Sequence, residues 1–381
     1  MRDTRPAGMA SRKAARVARS LAAILLGWGA ATPRAWAAEL EGPIALPPGF
    51  AISVFAAGLS APRFMAWSAR GDLLVSLPRR GQVVALRDTT KTGRADRRWV
   101  VAEGLNLPHG LAFRDPQTLY VAETGRILRF RYDVETGKAS TLEVIVPDVP
   151  SGSGHWTRTI AFGPDGNLYV SVGSSCNVCV ERDPRRAAVV RYRPDGSGEH
   201  LFARGLRNAV GISFDGQGRL WGVVNGRDWL GDDQPPEILA QIKDGRHYGW
   251  PHCNGQRVPD PDFGRPGFCQ TVELPDFEMQ AHSAPLGLAF YAGRMFPAEY
   301  RGDLFVGFHG SWNRSTPTGY KVVRIRMRDG RPTAIEDFAS GWLVGGRPWG
   351  RPVDVTIGPD GALYVSDDYA GRIYRITYGG S

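Results

Sequence analysis

Six copies of one short unit run through this chain, and they constrain its fold more than any other feature. Each copy reads as strand, Gly/Asp turn, strand, turn, strand. The clearest is Ile160-Ala-Phe-Gly-Pro-Asp-Gly-Asn-Leu-Tyr-Val-Ser-Val172, followed by Ala188-Val-Val-Arg-Tyr192. Others open at Gly110-Leu-Ala-Phe113, Gly211-Ile-Ser-Phe214, Gly287-Leu-Ala-Phe290 and Val355-Thr-Ile357, while Phe64-Met-Ala-Trp67 opens the first and weakest copy. The Pro164-Asp-Gly166 and Pro359-Asp-Gly361 turns supply the tight reversal that antiparallel neighbours need. The strand segments are β-branched and aromatic, and no segment keeps a helical period over three turns. A unit of this size cannot bury both its faces alone. Six of them, each with room for a fourth strand, predict an all-β, six-bladed β-propeller with a central channel and long loops on one face. A ring of seven or eight blades, or a double sandwich, is the alternative. The copies are evenly spaced except across residues 225–280, a loop-rich insertion.

The first residues read as a targeting segment. Arg2, Arg5, Arg12, Lys13, Arg16 and Arg19 make a basic start, Leu21 to Ala31 is a short apolar run, and Ala35-Trp36-Ala37 fits a small-x-small cleavage site. The expectation is a secretory signal over 1–37 and a single domain over 38–381, periplasmic or secreted. The apolar run is too short to span a bilayer. This segment holds seven Lys/Arg against one acidic residue, so its removal lowers the formal net charge from +9 to about +3. A nucleic-acid partner loses its main support, since no basic run or aromatic-basic interleaving remains. The four cysteines fall as Cys176/Cys179 and Cys253/Cys269, and in an exported chain local disulfides are the simplest of three connectivities. Cys176-x-x-Cys179 is followed by Val180, which excludes c-type haem attachment, and a redox pair or a zinc site is the competing reading.

Polar groups of interest fall between strands. His155 stands just before the inner strand of the third unit, Arg207-Asn208 at the matching place one unit later, and Arg351 in the last unit. Taken singly, each is a loop residue without function. Together they mark one edge that a propeller aims at its channel mouth. Asn225-Gly-Arg-Asp228 with Asp232-Asp233 forms an oxygen-rich loop of the kind that suits Ca²⁺, although it lacks EF-hand spacing. Tyr248-Gly-Trp250-Pro251 reads as packing, and His309-Gly-Ser-Trp-Asn-Arg314 is a further polar-aromatic loop. No Gly-x-Ser-x-Gly elbow, His-Glu-x-x-His, P-loop or dinucleotide fingerprint is present.

These motifs resemble the soluble dehydrogenases of sugars that depend on pyrroloquinoline quinone (PQQ), including aldose sugar and soluble glucose dehydrogenases, and within them the sorbosone or pyranose branch. The resemblance runs from Leu46-Pro-Pro-Gly-Phe50 to Arg372-Ile-Tyr-Arg-Ile376. It implies His155 as general base, Arg207 and Asn208 as contacts to the quinone, and Arg351 as a cofactor-holding arginine. It implies Gly226 and Arg227 as Ca²⁺ ligands through their carbonyls, with Asp228 nearby. The family's second arginine is Val353 here, and its lysine falls near Gly310, so His309, Arg314 or Lys321 has to substitute. The implied partners are a sugar substrate and an external electron acceptor. A Ca²⁺-dependent lactonase and a non-catalytic binding propeller are the competing functions on such a fold.

Overall fold

The computed structural model describes residues 39–379, so the expected signal over 1–37 lies outside the described residues. Six four-stranded antiparallel blades make up this unit. In chain order their innermost strands are Met65–Trp67, Leu111–Asp115, Arg158–Phe162, Ala209–Phe214, Pro285–Phe290 and Pro352–Ile357. The six-bladed propeller expected from the repeat is the fold. Among the described residues the only helical pieces are three single 3₁₀ turns, Pro78–Arg80, Phe268–Gln270 and Ala298–Tyr300, and no helix is long and apolar enough to cross a membrane.

The strands are apolar without alternation because both faces are buried. The second strands of five blades, such as Leu73–Leu77 and Leu168–Val172, are buried at every position. Successive side chains go to opposite neighbours. Leu74 joins the core between blades one and two, whereas Leu73 and Val75 join the core between blades six and one. Six such inter-blade cores follow one another around the ring and close it. The turn residues of the repeat lock this packing. Asp165 accepts from the Tyr169 hydroxyl (3.0 Å), and Asp360 does the same for Tyr364 (3.2 Å). Gly166 and Gly361 sit at φ +75 and +81, the left-handed region that each turn requires.

Closure uses a strand the repeat does not reveal. The sixth blade takes three strands from the C-terminal end and its outer strand, Phe50–Ala56, from the beginning. Register runs from Phe50 opposite Tyr378 to Ala56 opposite Ile373. Met65 N–H then donates to Asp354 (2.8 Å), and the Ser366 hydroxyl to the Arg63 carbonyl (2.6 Å), tying the first blade to the last.

The expected insertion over 225–280 includes two strands of the fourth blade, Glu237–Gln241 and Phe277–Met279, so the inserted part is the stretch 242–276 between them. Its Arg246–His247 segment pairs in parallel with the outer edge of the third blade. The Cys253–Cys269 disulfide staples this insertion, and Cys176–Cys179 closes a turn in the third blade. Both pairings are the local ones. Tyr248 and Trp250 are buried, as packing residues should be.

Candidate active site

The start of an innermost strand and the end of its second strand lie at the same end of a blade, because the two are antiparallel. Two sets of loops therefore meet over the channel. They enclose a cavity of about 390 Å³, a size typical of small-molecule sites. Val210 and Leu286 line it as well, and pack with Phe64 and Val353 in a small apolar cluster drawn from four blades.

His155, Arg207, Asn208, Gly226, Asp228 and Arg351 all line this cavity. His155 is fixed by neighbours on both sides of its chain. Its N–H and its Nδ1 both meet the Ser174 carbonyl, and Nδ1 lies 3.0 Å from Ser174 Oγ. That hydroxyl gives its own proton to the Cys176 carbonyl (2.7 Å). Nδ1–H must then be the donor, which leaves Nε2 as the unprotonated nitrogen. The buried Arg158 guanidinium staples the same loop by donating to the carbonyls of His155 (2.9 Å), Thr157 (2.6 Å) and Pro150.

Burial, and after it the positive charge of Arg207, pushes the His155 imidazole down to about 3. The ring is neutral throughout the physiological range. In the unfolded chain it protonates at its ordinary value, so this group withdraws stability as pH falls from about 6.5 toward 3. The NMR signals of His155 in the ligand-free protein are expected to stay unmoved from pH 8 to 5. A transition near 6.5 would show that the ring is solvated.

Arg207 spends all five donors inside the protein. Nε and Nη2 bond the carbonyl (2.8 Å) and side-chain oxygen (2.9 Å) of Asn177, Nη1 the carbonyls of Gly226 (2.6 Å) and Asn225 (3.3 Å), and Nη2 also Asp228 (3.1 Å). What it offers the cavity is charge. Asp228 is held on its other oxygen by Asn313 (2.8 Å). Glu237, fully buried, accepts from Gly226 N–H (2.6 Å) and Ala284 N–H (3.1 Å), and burial raises its carboxyl to about 7.

Arg351 differs from Arg207. Its N–H is fixed by Asp367 (2.9 Å) and its Nε by the His309 carbonyl (3.3 Å), but its two terminal nitrogens meet no partner among the described residues. Arg63, from the first blade, stands beside it. It pairs with Asp368 (2.8 Å) and lies 5.6 Å from the Trp156 ring, and its buried Nε has no partner. Asp368 also holds His309 Nε2 (2.9 Å). A second hollow of about 380 Å³ shares Arg63, Trp156 and His309 with the main cavity.

Two expected residues, Lys321 and Arg314, are placed differently, while Arg227 leaves only the backbone that was expected to serve. Lys321 pairs with Asp337 (2.6 Å) across the outer strands of the fifth blade and does not line the cavity. Arg314 clamps the neighbouring loop through the Asp232 carbonyl (2.7 Å) and Asp233 (2.9 Å). The Arg227 side chain turns away to Asp260 (2.8 Å) and Asp262 (3.0 Å), so only its backbone is left for a ligand. The sequence reading missed Arg63, Asn177 and Glu237. Arg63 had a signal, since it occupies in the first unit the edge that His155 and Arg351 occupy in theirs.

Gly173 fits between two of these residues. A Cβ there would lie 2.6 Å from His155 Cβ and collide with Asn208 Oδ1. Gly173→Ala is expected to cost about 1–3 kcal/mol in chemical denaturation, as overpacking does, and to displace His155. Unchanged stability would mean that the loop yields freely.

Comparison with known proteins places the chain. The family described as a domain of unknown function (DUF7133) matches residues 39–377. The chain belongs to the DUF7133 family. An uncharacterized protein of Borreliella burgdorferi is 30% identical over 363 residues, covering 90% of this DUF7133 chain and 93% of that protein. A pyrroloquinoline quinone-dependent pyranose dehydrogenase of Coprinopsis cinerea is 25% identical over 86% of this chain, a match that spans only 54% of the relative. Among solved structures, the holo form of a Coprinopsis cinerea pyranose dehydrogenase PQQ domain superposes with a TM-score of 0.78 at 23% identity, covering 89% of this chain and 98% of that one. A calcium structure of a Trichoderma reesei family AA12 enzyme gives 0.79 at 23% identity, covering 90% and 99%. The resemblance to PQQ-dependent sugar dehydrogenases is borne out by these matches, which do not single out a sorbosone branch.

Proposed function

We propose that the cavity binds PQQ with Ca²⁺ and that the protein oxidises an aldose-type sugar, with His155 as the base. One observation carries this reading: a neutral imidazole with a free Nε2 lines the same cavity as guanidinium donors that no protein group uses. A flat tricarboxylate suits such donors. The terminal nitrogens of Arg351 are the groups that would hold it, with the positive charge of Arg63 beside them. The Gly226 and Arg227 carbonyls and the Asp228 carboxylate offer the hard oxygen donors that Ca²⁺ takes. When bound, the pair supplies a two-electron acceptor with a polarised quinone oxygen.

The chain's own residues do the rest. His155 Nε2 takes the hydroxyl proton of the substrate as the neighbouring C–H hydrogen leaves with its electron pair. Nδ1–H, bonded to Ser174, keeps the ring in that tautomer. The buried charge of Arg207 favours negative charge that builds in the cavity. Trp312 and Trp229, 65% and 66% exposed and packed edge to face at 5.0 Å, present flat apolar faces to a sugar, and Trp312 also lines the cavity. A hemiacetal would leave as a lactone and an aldehyde hydrate, as in sorbosone, as an acid. An external acceptor then removes the electrons. Two disulfides fit work in the periplasm or outside the cell.

Protein reconstituted with PQQ and Ca²⁺ is expected to show the absorbance of bound quinone and to reduce a dye when given aldoses or aldehydes, sorbosone among them. Lactone hydrolysis without PQQ, and no dye reduction with it, would move the assignment to a lactonase. Ligand binding with neither chemistry would leave a binding propeller.

A further inference from the structure

The turn at residues 174–181, after the second strand of the third blade, touches the site at two separate points. Cys176 and Cys179 close it into a small ring, and Glu181 clamps its start by accepting from Ser175 N–H (2.6 Å) and Ser175 Oγ (2.7 Å). At one point, the Cys176 carbonyl takes the Ser174 hydroxyl proton and so obliges His155 Nδ1–H to donate. At the other, Asn177, inside the ring, makes four bonds. Its carbonyl accepts from Arg207 Nε (2.8 Å), and its side-chain oxygen from Arg207 Nη2 (2.9 Å) and Asp228 N–H (2.8 Å). Its side-chain nitrogen donates to the Asp228 carbonyl (3.2 Å). The loop that bears His155 is pressed against this turn, since a Cβ on Gly154 would collide with the backbone of Ser174 and Ser175.

We propose that this disulfide-closed ring is a positioning device for the site, and that Asn177 is the positioning residue that sets Arg207 and Asp228. The ring restricts the turn to one conformation, so both contacts are already made before any ligand arrives. The proposal rests on the dehydrogenase reading only for its kinetic consequence. The positions of Arg207 and His155 are properties of the ligand-free protein.

The bond can be opened selectively. Cys176 and Cys179 are partly exposed, while Cys253 and Cys269 are 4% and 2% exposed. A dithiol such as dithiothreitol attacks one cysteine sulfur as a thiolate, expels the other cysteine as its thiolate and forms a mixed disulfide. Its second thiolate then closes the reagent's own disulfide and expels the cysteine that was attacked. The two cysteines gain two electrons and two protons, and the reagent loses both.

The test uses the whole protein with two readouts. In the ligand-free form, NMR follows exchange of the Arg207 Nε–H and the tautomer of His155. Both are expected to be well defined in the wild type. Dithiothreitol treatment is expected to speed Arg207 Nε–H exchange by roughly tenfold or more and to mix the His155 tautomers. With PQQ and Ca²⁺ supplied, Asn177→Ala is expected to lower kcat by about 10- to 100-fold, the usual effect of removing an orienting partner, with the sugar KM and the thermal midpoint unchanged. Asn177→Asp, which keeps the oxygen for Arg207, should recover most of the loss. Wild-type kcat in Asn177→Ala together with undisturbed NMR signals after reduction would overturn the proposal. So would equal losses in Asn177→Ala and Asn177→Asp accompanied by a lower thermal midpoint, which would mark a purely structural role. If the wild type takes up no PQQ, the dehydrogenase reading fails by itself and the NMR readout still decides the positioning role.

Discussion

His155→Gln is expected to lower the rate of dye reduction by about 10²–10⁴-fold, the usual cost of losing a positioned base, while the affinity for PQQ stays close to that of the wild type. Glutamine has a similar reach and can keep a bond to Ser174, but it has no basic nitrogen to point into the cavity. Arg351, proposed to anchor the cofactor, is fixed by Asp367 and His309 and makes no bond to the His155 loop, which Arg63 meets only at the Trp156 ring. The comparison should be made at saturating PQQ and Ca²⁺, with the dissociation constant for PQQ measured alongside by fluorescence titration. Near-normal turnover in His155→Gln would remove the residue from the chemistry. A loss of affinity matching the loss of rate would instead make it a binding group.

The second large effect concerns the anchors. Arg351→Ala is expected to weaken PQQ binding by roughly 30-fold or more, since removing one partner of a buried, hydrogen-bonded charge pair costs about 2–5 kcal/mol. Arg314→Ala and Lys321→Ala are expected to bind PQQ like the wild type, because their charges are spent on Asp233 and Asp337 away from the cavity. Arg63→Ala should weaken binding too, and a double-mutant cycle with Arg351 separates shared from independent contributions. Arg63 also steadies Asp368 and His309, so its thermal midpoint must be measured beside the titration. Equal affinity in Arg351→Ala and the wild type would take Arg351 out of the anchor set.

The ring was legible because each blade needs the same two-faced strands, and the third and sixth repeat one Asp-bearing turn at Asp165 and Asp360. The outer strand Phe50–Ala56 was not, since nothing local says that a strand near the start pairs with Arg372–Tyr378 near the end. The edge of the site was legible where the repeat is strong, at His155, Arg207 and Arg351. It was lost at Arg63, where Ser68-Ala-Arg-Gly71 replaces the Gly-Pro-Asp-Gly turn and blurs the register of the first copy. Lys321 and Arg314 looked available by their distance along the chain, but strand pairing and loop contacts decide where a long side chain goes. Asn177 was hidden by its flanking cysteines, which drew attention to the staple and away from what the staple holds.

Ring closure by the strand Phe50–Ala56 sets an order of events. A ribosome delivers this strand well before its partner Arg372–Tyr378, so the sixth blade cannot form until both have been made. Arg63 and Asp368, which meet at the cavity wall, are 305 positions apart. The seam of the ring and the Arg63 wall of the cavity are therefore one joint, completed when the sixth blade closes. A ligand seated against both Arg63 and Arg351 would act as a clasp across that joint, and a nascent chain has no such site to offer before its last blade arrives.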